Sequence, residues 1–471
     1  MSTAVNAAAA AAGRTHPAGG SLQGRLDSIG SAVTMLRDSR SGPFKSPYPN
    51  EYTNWQDEQA SWTQTAVLFD QSHHMTDVYF QGPDTARLMA EHSTNSFSTW
   101  GPGKAKHLIV CAPDGNMIGS AVLFGLADGR VNVVGPTAAA NWLQYQVDRG
   151  GYDVEYVRDE RTVDLAPGVR RQTFRYEIEG PAARAILEKA NGGPIEPVRF
   201  FAMTRFLLGG VPVDALSHTM AGVPGSESSG MEIWGPIDAA KRVWDALISA
   251  GEEFGLTRGG GLAYYSGSVE SGYAAQPTPA VYSAPELRDY REWLPARGYE
   301  GGLSVGGSYA RDRIEDYYVT PFDFGYGHLV KFDHDFTGRA PLEAAAARPH
   351  RSKVWLRWNR DDVARVYAGA LYGGAERYKY LATPLGRYAR VHLDAVLDGD
   401  RLVGTSTLCA YTVNVGDWMS VAFVDEADAT DGRELRLLWG EENGGTSKLN
   451  VESHVQTDIR VTVSTTPLHW Q

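Results

Sequence analysis

Four segments of the chain repeat one pattern of apolar and polar positions. In each, a strand of alternating apolar residues ends in Gly-Pro, and apolar residues at helical spacing follow; the segments are 78–83, 131–136, 176–181 and 231–236. Glycine permits a sharp turn out of the strand, and proline suits the first helical position, where its missing N–H has no partner. Gly180 follows Gly82 by 98 residues, and Gly235 follows Gly135 by 100. This spacing predicts a duplicated α+β core.

The pattern becomes strand-like after an alanine-rich stretch that ends at Arg348-Pro349, which is typical of a linker. Alternating apolar runs then follow at 353–358, 391–397, 418–424, 435–439 and 459–463. They predict a small all-β barrel or sandwich. The first 28 residues contain an alanine run and several glycines but no basic start, so we expect a flexible tail rather than a signal peptide. The expected division is a tail over 1–28, a duplicated core of two interleaved subdomains over 29–348 and a β-barrel domain over 349–471.

Composition narrows the possible partners. The 44 Lys and Arg against 56 Asp and Glu give a formal charge of −12, without a basic tract, which disfavours binding to nucleic acid or to an anionic membrane. No apolar run is long enough to span a bilayer. The two cysteines, Cys111 and Cys409, exclude a disulfide framework and favour a reducing, cytoplasmic setting. The 23 tyrosines and 52 glycines fit a loop-rich enzyme cleft and a carbohydrate-binding surface equally well.

Several common chemistries lack their motif. The glycine triplet 259–261 has neither the lysine of a phosphate-binding loop nor the glycine spacing of a dinucleotide site. Segment 225–230 has the wrong spacing for the nucleophile elbow of an esterase. His73 and His74 are adjacent, so on a strand they would point to opposite faces and could hardly share a metal. We therefore expect no bound metal. A sufficient explanation for the two histidines is that one packs inside the protein and the other faces solvent.

Polar residues near strand ends are the remaining candidates for a site. Residues 69–74 precede the first Gly-Pro segment, and Glu232 lies inside the fourth strand. A buried carboxylate requires hydrogen-bond donors, which a ligand with ring N–H groups could provide; alternatively, Glu232 faces solvent on a one-sided sheet. The tyrosine-rich segment that contains Tyr264 and Tyr273 is as typical of a core as of a site.

Five motifs together resemble those of the folate-binding T-protein (aminomethyltransferase) superfamily. Within it, the chain most resembles the tetrahydrofolate-dependent aryl O-demethylases that act on vanillate, 3-O-methylgallate and syringate, and the related dicamba demethylase. The motifs lie at 69–74, 113–119, 222–234, 320–339 and 439–446. The similarity covers about residues 31 to 465, and the order and spacing of the motifs are more specific than any one of them.

The resemblance implies a T-protein-like three-lobed ring: a duplicated α/β folate-binding core with a C-terminal all-β barrel or sandwich. It implies tetrahydrofolate as the cofactor, whose N5 receives a methyl group from a methoxylated aromatic compound without metal or corrinoid. The residue that anchors the pterin in this family falls on Glu232. Tyr273 takes the place of a folate-contacting tryptophan, and Val134 is expected to contact the folate as well.

The same resemblance assigns residues to the methyl donor. The catalytic tyrosine of the vanillate enzyme falls on Tyr264, which we expect to protonate the leaving oxygen, while His74 orients the substrate or shares the proton. Gln71 falls near the methoxy group, and His73 and Phe44 are expected to contact the substrate.

The chain departs from the family at two positions. Ser120 replaces an acidic residue, and Pro136 replaces the arginine that is thought to bind the para-carboxylate of vanillate. An arginine binds a carboxylate through two parallel hydrogen bonds, and proline cannot replace this interaction. The carboxylate is therefore held elsewhere, as an ortho-methoxybenzoate such as dicamba would allow, or is absent. Alternatives are folate-dependent methyl transfer from sulfur or nitrogen and a non-catalytic folate-binding protein.

Overall fold

The computed structural model describes residues 20–42, 47–218, 230–274 and 277–468. Its α-helices are α1 (Leu22–Ile29), α2 (Ala32–Arg37), α3 (Trp55–Gln64), α4 (Thr85–Glu91), α5 (Thr137–Asp148), α6 (Ala183–Asn191), α7 (Ala240–Gly251), α8 (Gly261–Ser271), α9 (Arg288–Trp293), α10 (Arg339–Ala346) and α11 (Arg360–Tyr372). Its strands are β1 (Ala66–Asp70), β2 (Thr76–Gln81), β3 (Ala105–Cys111), β4 (Met117–Gly125), β5 (Val131–Gly135), β6 (Glu155–Asp159), β7 (Thr173–Glu179), β8 (Met203–Leu208), β9 (Val211–Ser217), β10 (Met231–Pro236), β11 (Leu256–Gly259), β12 (Val305–Gly306), β13 (Arg351–Trp358), β14 (Val391–His392), β15 (Asp394–Asp398), β16 (Arg401–Thr412), β17 (Asp417–Asp425), β18 (Glu434–Trp439) and β19 (Thr457–Ser464).

The first two lobes are sheets with matching strand orders. One runs β3-β4-β5-β2-β6 and the other β8-β9-β10-β7-β1-β11. Two strands of the Gly-Pro pattern lie side by side and antiparallel in each sheet, β2 with β5 and β7 with β10. The predicted duplication is therefore confirmed.

The two halves also exchange a strand. Strand β1 precedes β2 in the chain but pairs with β7, whereas β6 precedes β7 but pairs with β2. The segment between β1 and β2 consequently runs from one sheet to the other. Residues 71–75, most of which are polar, therefore lie between the two lobes.

Close packing accounts for the glycines of the repeated turns. Gly82 has a φ of +148°, and a Cβ there would lie 2.1 Å from the carbonyl oxygen of Asp153. Gly180 has a φ of +113°, in the region that favours glycine. The prolines, however, are not the first helical residues: Pro136 has a ψ of 136° and α5 begins one residue later. Pro236 has the same extended ψ of 136°, whereas Pro83 and Pro181 lie in hydrogen-bonded turns two residues before α4 and α6 begin.

One face of each sheet is buried under helices, and its opposite face is directed towards the other sheet. Leu187 of α6 and Leu247 of α7 belong to the same apolar core as Ile178 of β7. On the opposite faces, Phe124 of β4 meets Trp234 of β10, with ring centroids 4.7 Å apart. The sheets therefore approach each other through their inner faces.

The third lobe is a closed barrel in the order β13-β17-β16-β15-β18-β19. This confirms the predicted all-β C-terminal region as a barrel and adds helix α11, which the strand-like pattern did not predict. Helix α8 packs against the barrel: the indole Nε1 of Trp355 donates to the carbonyl of Val269 at 2.9 Å. At the end of α8, a Cβ on Gly272 would lie 2.1 Å from the Trp355 ring.

The tail predicted over residues 1 to 28 is wrong at its C-terminal end. Residues 22–29 form α1, with Leu22 and Leu26 buried in the core, because its apolar side chains have a face to cover next to α9. Residues 1–19 lie outside the described residues. No described helix has the length and apolar character needed to cross a membrane.

Candidate active site

A cavity of about 170 Å³ opens where the three lobes meet. This is close to the roughly 150 Å³ that suffices for one benzene ring. Its wall consists of Gln71, His74, Met75, Val122, Val134, Gly135, Pro136, Thr137, Arg161, His218, Glu232, Tyr264, Tyr265, Ser268, Tyr273, Ala274, Tyr299, Phe324, Leu385, Arg387, Arg390, Thr407 and Leu408. Strands, helix α8 and the barrel all contribute, so the wall depends on the arrangement of the lobes.

The glycine triplet positions Tyr264 on this wall. A Cβ on Gly259 would lie 2.1 Å from the Phe69 ring, and one on Gly260 would lie 2.2 Å from the carbonyl oxygen of Asn50. The backbone N–H of Gly260 donates to Oε2 of Glu58 at 2.7 Å. These contacts fix the start of α8, and Tyr264 lies in its first turn.

Tyr264, His74 and Gln71 form one hydrogen-bonded cluster. The Tyr264 hydroxyl lies 3.2 Å from Nε2 of His74, and the Gln71 amide donates to the same hydroxyl at 3.2 Å. The Gln71 amide also donates to the carboxylate of Glu177, which is fully buried below the cavity. The side chains that surround the hydroxyl are thus held in place by buried partners.

Burial sets the protonation of this cluster. Desolvation, followed by the charge of Glu177, raises the pKa of Tyr264 well above its usual value. Desolvation lowers the pKa of His74 to about 3. At neutral pH both groups are uncharged, so the tyrosine can donate its proton and the imidazole can accept a hydrogen bond.

Glu232 lies on the cavity wall at the end of a buried ionic network. It is 4 % exposed, which rejects the alternative that it faces solvent. Nη1 of Arg175 binds its Oε1, and Nη2 of the same arginine binds Asp77 at 2.9 Å. Arg171 joins Asp77 to Asp159. Each guanidinium bridges two carboxylates, so the position of Glu232 is fixed without a ligand.

His218 is a cavity residue that sequence reasoning missed. Its Nδ1 lies 3.8 Å from Oε1 of Glu177. Burial lowers the pKa of His218, but the nearby carboxylate of Glu177 outweighs this effect and raises the value above the usual one. The sequence did carry a signal for this part of the site: Arg175 and Glu177 are charged residues two positions apart in a strand that alternates polar and apolar residues, so their side chains share one face.

The structure brings most of the predicted residues together. Those on the cavity wall are Gln71, His74, Val134, Pro136, Glu232, Tyr264 and Tyr273. His73 is not on the wall; its Nδ1 bonds to Thr162 at 2.8 Å and its Nε2 lies 3.4 Å from Asp70, because the turn after β1 directs adjacent side chains apart. Phe44 lies outside the described residues.

The donor set suits an organic ligand with ring N–H groups. Among the described residues, no group of histidines, cysteines and carboxylates could hold a metal ion. Glu232 presents a carboxylate whose Oε2 takes no hydrogen bond from any described residue, and Tyr273 and Val134 supply apolar surface on the same wall. A planar heterocycle with adjacent N–H donors fits this combination.

The chain is similar to proteins of one family, both in sequence and in fold. The GCVT N-terminal domain matches residues 43–278. The syringate O-demethylase of Sphingobium sp. is 40% identical, covering 95% of this chain and 96% of that protein. The sesamin methylene transferase of Sinomonas sp. is 28% identical, covering 89% and 90%. The crystal structure of aminomethyltransferase T from Bartonella henselae has the same fold, with a TM-score of 0.58, 16% identity and coverage of 92% and 94%.

These matches confirm the superfamily resemblance and the three-lobed fold that it implied. The T-protein neighbour spans all three lobes, so the likeness is not limited to one sheet. The chain belongs to the folate-dependent aminomethyltransferase family that the GCVT domain defines.

Proposed function

We propose that this chain is a tetrahydrofolate-dependent O-demethylase that transfers a methyl group from a methoxylated aromatic compound to N5 of tetrahydrofolate. The products are a phenol and 5-methyltetrahydrofolate. The main support is the uncharged Tyr264 hydroxyl on the wall of a ring-sized cavity, with His74 and Gln71 bound to it. The 40% identity to a syringate O-demethylase supports the same reaction class.

The cavity wall can hold a folate. Glu232 accepts hydrogen bonds from the N–H groups of the pterin, and Arg175 keeps that carboxylate in place. Tyr273 and Val134 contact the faces of the ring system. When bound, tetrahydrofolate supplies N5 as the acceptor of the methyl group.

Tyr264 acts on the leaving group. As the bond between the methyl carbon and the aryl oxygen breaks, its electron pair stays on the oxygen, which takes the proton of the Tyr264 hydroxyl. The tyrosinate left behind would be reprotonated by the proton that N5 of the folate loses on methylation, so the hydroxyl is restored. Gln71 donates to the tyrosine oxygen and so favours the negative charge that develops there. Proton donation of this kind contributes about 10²–10⁴-fold. Alignment of the methyl carbon between donor and acceptor contributes up to about 7–11 kcal/mol.

The substrate class that we favour is a methoxylated benzoate, similar to vanillate, syringate or dicamba. The name of the syringate relative supports this class. Cys111 and Cys409 are buried free thiols, which supports a reducing cytoplasmic setting.

A panel assay tests the proposal. Purified protein and tetrahydrofolate are incubated without oxygen with vanillate, syringate, guaiacol or dicamba, and 5-methyltetrahydrofolate and the phenol are quantified. We expect equal amounts of both products with at least one compound. Absence of product with all four would reject O-demethylation of this class and favour a sulfur or nitrogen methyl donor.

A further inference from the structure

Two arginines on the cavity wall form no ion pair with any residue that the structure describes. Arg387 and Arg390 lie three residues apart between α11 and β14, and both line the cavity. Within the part of the chain that the structure describes, neither forms an ion pair, and Nε of each is buried without a hydrogen-bond partner. Arg161, on the same wall, differs because its Nε donates to Asp164 at 2.7 Å.

Aromatic faces compensate these two charges only in part. The guanidinium of Arg387 lies 5.3 Å from the centroid of Tyr265, and that of Arg390 lies 5.7 Å from the centroid of Tyr299. Desolvation lowers the pKa of both arginines, yet a guanidinium remains charged in proteins. Both side chains are partly exposed, but their Nε atoms are buried, and a partly desolvated cation without a carboxylate partner is unfavourable. The arrangement therefore calls for an anionic ligand in the cavity.

The segment that carries the arginines is fixed by the barrel. The backbone N–H of Gly386 donates to the carbonyl of Cys409 at 3.0 Å, and that of Arg390 donates to Oγ of Ser304 at 3.1 Å. A Cβ on Gly386 would lie 2.6 Å from the Cys409 sulfur. Because the backbone is held on both sides, the cations are in position before a ligand binds.

Arg387 lies close to the proposed reaction centre. The ring of Tyr265, which it contacts, is 5.2 Å from that of Tyr264 and 6.1 Å from that of His74. An aromatic compound with its methoxy group at Tyr264 can therefore extend a ring substituent towards Arg387. Pro136, on the same wall, offers no charge for such a substituent.

We infer that Arg387 and Arg390 bind the carboxylate of the aromatic substrate. The inference rests on the proposed function and specifies it: it makes the preferred methyl donor a carboxylated methoxyarene and assigns its recognition to the barrel lobe. The carboxylates of the folate's glutamate tail have the same chemistry and are the competing source of the anion.

The test compares two substrates that differ only in charge. Syringate and 2,6-dimethoxyphenol carry the same methoxy and phenol groups, and only the former has a carboxylate. For Arg387→Gln and Arg390→Gln we expect kcat/KM for syringate to fall about 10- to 100-fold, as for loss of a charged hydrogen bond. We expect the value for 2,6-dimethoxyphenol to change less than about twofold. Arg348→Gln, at an exposed position, is the control that should change neither.

Other outcomes would overturn the inference. Equal losses with both substrates would show that the arginines do not recognise the carboxylate. The variants could instead raise KM for tetrahydrofolate but leave KM for a tetrahydropterin without the glutamate tail unchanged. That result would assign the arginines to the folate.

Calorimetric titration of syringate and of 2,6-dimethoxyphenol without folate separates this inference from the proposed function. If the wild-type protein turns over neither these two compounds nor any member of the panel above, the proposed function fails. In that case, binding alone decides the inference about the arginines. It stands if syringate binds more tightly than the uncharged compound and Arg387→Gln removes this difference in affinity, and it fails otherwise. Arg387→Lys, which keeps the charge, guards against a folding defect and should retain part of the preference.

Discussion

Substitution of Tyr264 by Phe removes one hydroxyl from the cavity and little else. The variant loses the 3.2 Å contacts to His74 and from Gln71, whereas the ring keeps its packing against Phe69, at a centroid distance of 5.3 Å. At about 0.5–1.5 kcal/mol for a hydrogen bond, the free energy of unfolding should fall by about 1–3 kcal/mol. The rate of demethylation should fall by about 10²–10⁴-fold, which corresponds to roughly 3–5 kcal/mol of activation free energy.

A single-turnover assay with enzyme in excess isolates this step from product release. Calorimetry on the same variant should give an unchanged affinity for tetrahydrofolate. A series of methoxyarenes with increasingly acidic phenol products adds a second readout: the loss of rate should shrink as the phenol becomes more acidic, because a better leaving group needs less protonation. Tyr265→Phe is a matched control, since this tyrosine is adjacent on α8 and also lines the cavity.

Two results would refute the reasoning. Full turnover by Tyr264→Phe with folate bound would exclude the tyrosine as proton donor. A loss of rate that is the same for every leaving group would show that the hydroxyl only shapes the cavity.

Three further predictions concern the groups around this hydroxyl. Glu232→Gln should weaken tetrahydrofolate binding about tenfold or more, because a charged acceptor is lost, while syringate affinity measured by calorimetry stays unchanged; the opposite pattern would contradict its role. Between about pH 5 and 9 the single-turnover rate should show no limb that depends on His74 or Tyr264, because the pKa of His74 is lowered to about 3 and that of Tyr264 is raised. A limb that His218→Gln abolishes is compatible with this, since the pKa of His218 on the same wall is raised above its usual value, whereas a limb near pH 6.5 that His74→Gln abolishes would argue against a neutral His74. Arg175→Met should destabilise the protein by about 3–5 kcal/mol in urea unfolding, because it leaves Glu232 and Asp77 without their shared cation, and a loss below about 1 kcal/mol would contradict the network.

Local patterns account for the parts of the structure that could be predicted. The Gly-Pro turns follow from residues adjacent in the chain, and their spacing reveals the duplicated sheets. Glu232 could be identified from the sequence alone because a charged residue is unusual inside an apolar strand. The barrel followed in the same way from alternating runs of apolar residues.

The residues that could not be predicted depend on contacts between lobes. Arg387 and Arg390 belong to an irregular segment of the barrel lobe, and nothing near them in the chain indicates that they face the cavity between the three lobes. The exchange of β1 and β6 between the sheets is equally invisible to local periodicity. The glycine triplet shows a related limit: its composition excluded a phosphate loop, but only the packing of Gly260 against Asn50 explains it as the fixed start of α8.

In the proposed reaction, the methyl group passes from an aryl ether to N5 of tetrahydrofolate on this chain. The most direct measurement uses syringate labelled with ¹³C in its methoxy groups and follows the label by NMR in the presence of the protein and tetrahydrofolate. The account predicts that the label appears as the N5-methyl of 5-methyltetrahydrofolate in amounts equal to the phenol formed. Phenol formation with the label recovered as formaldehyde or methanol, or no transfer of label with any carboxylated methoxyarene, would contradict it.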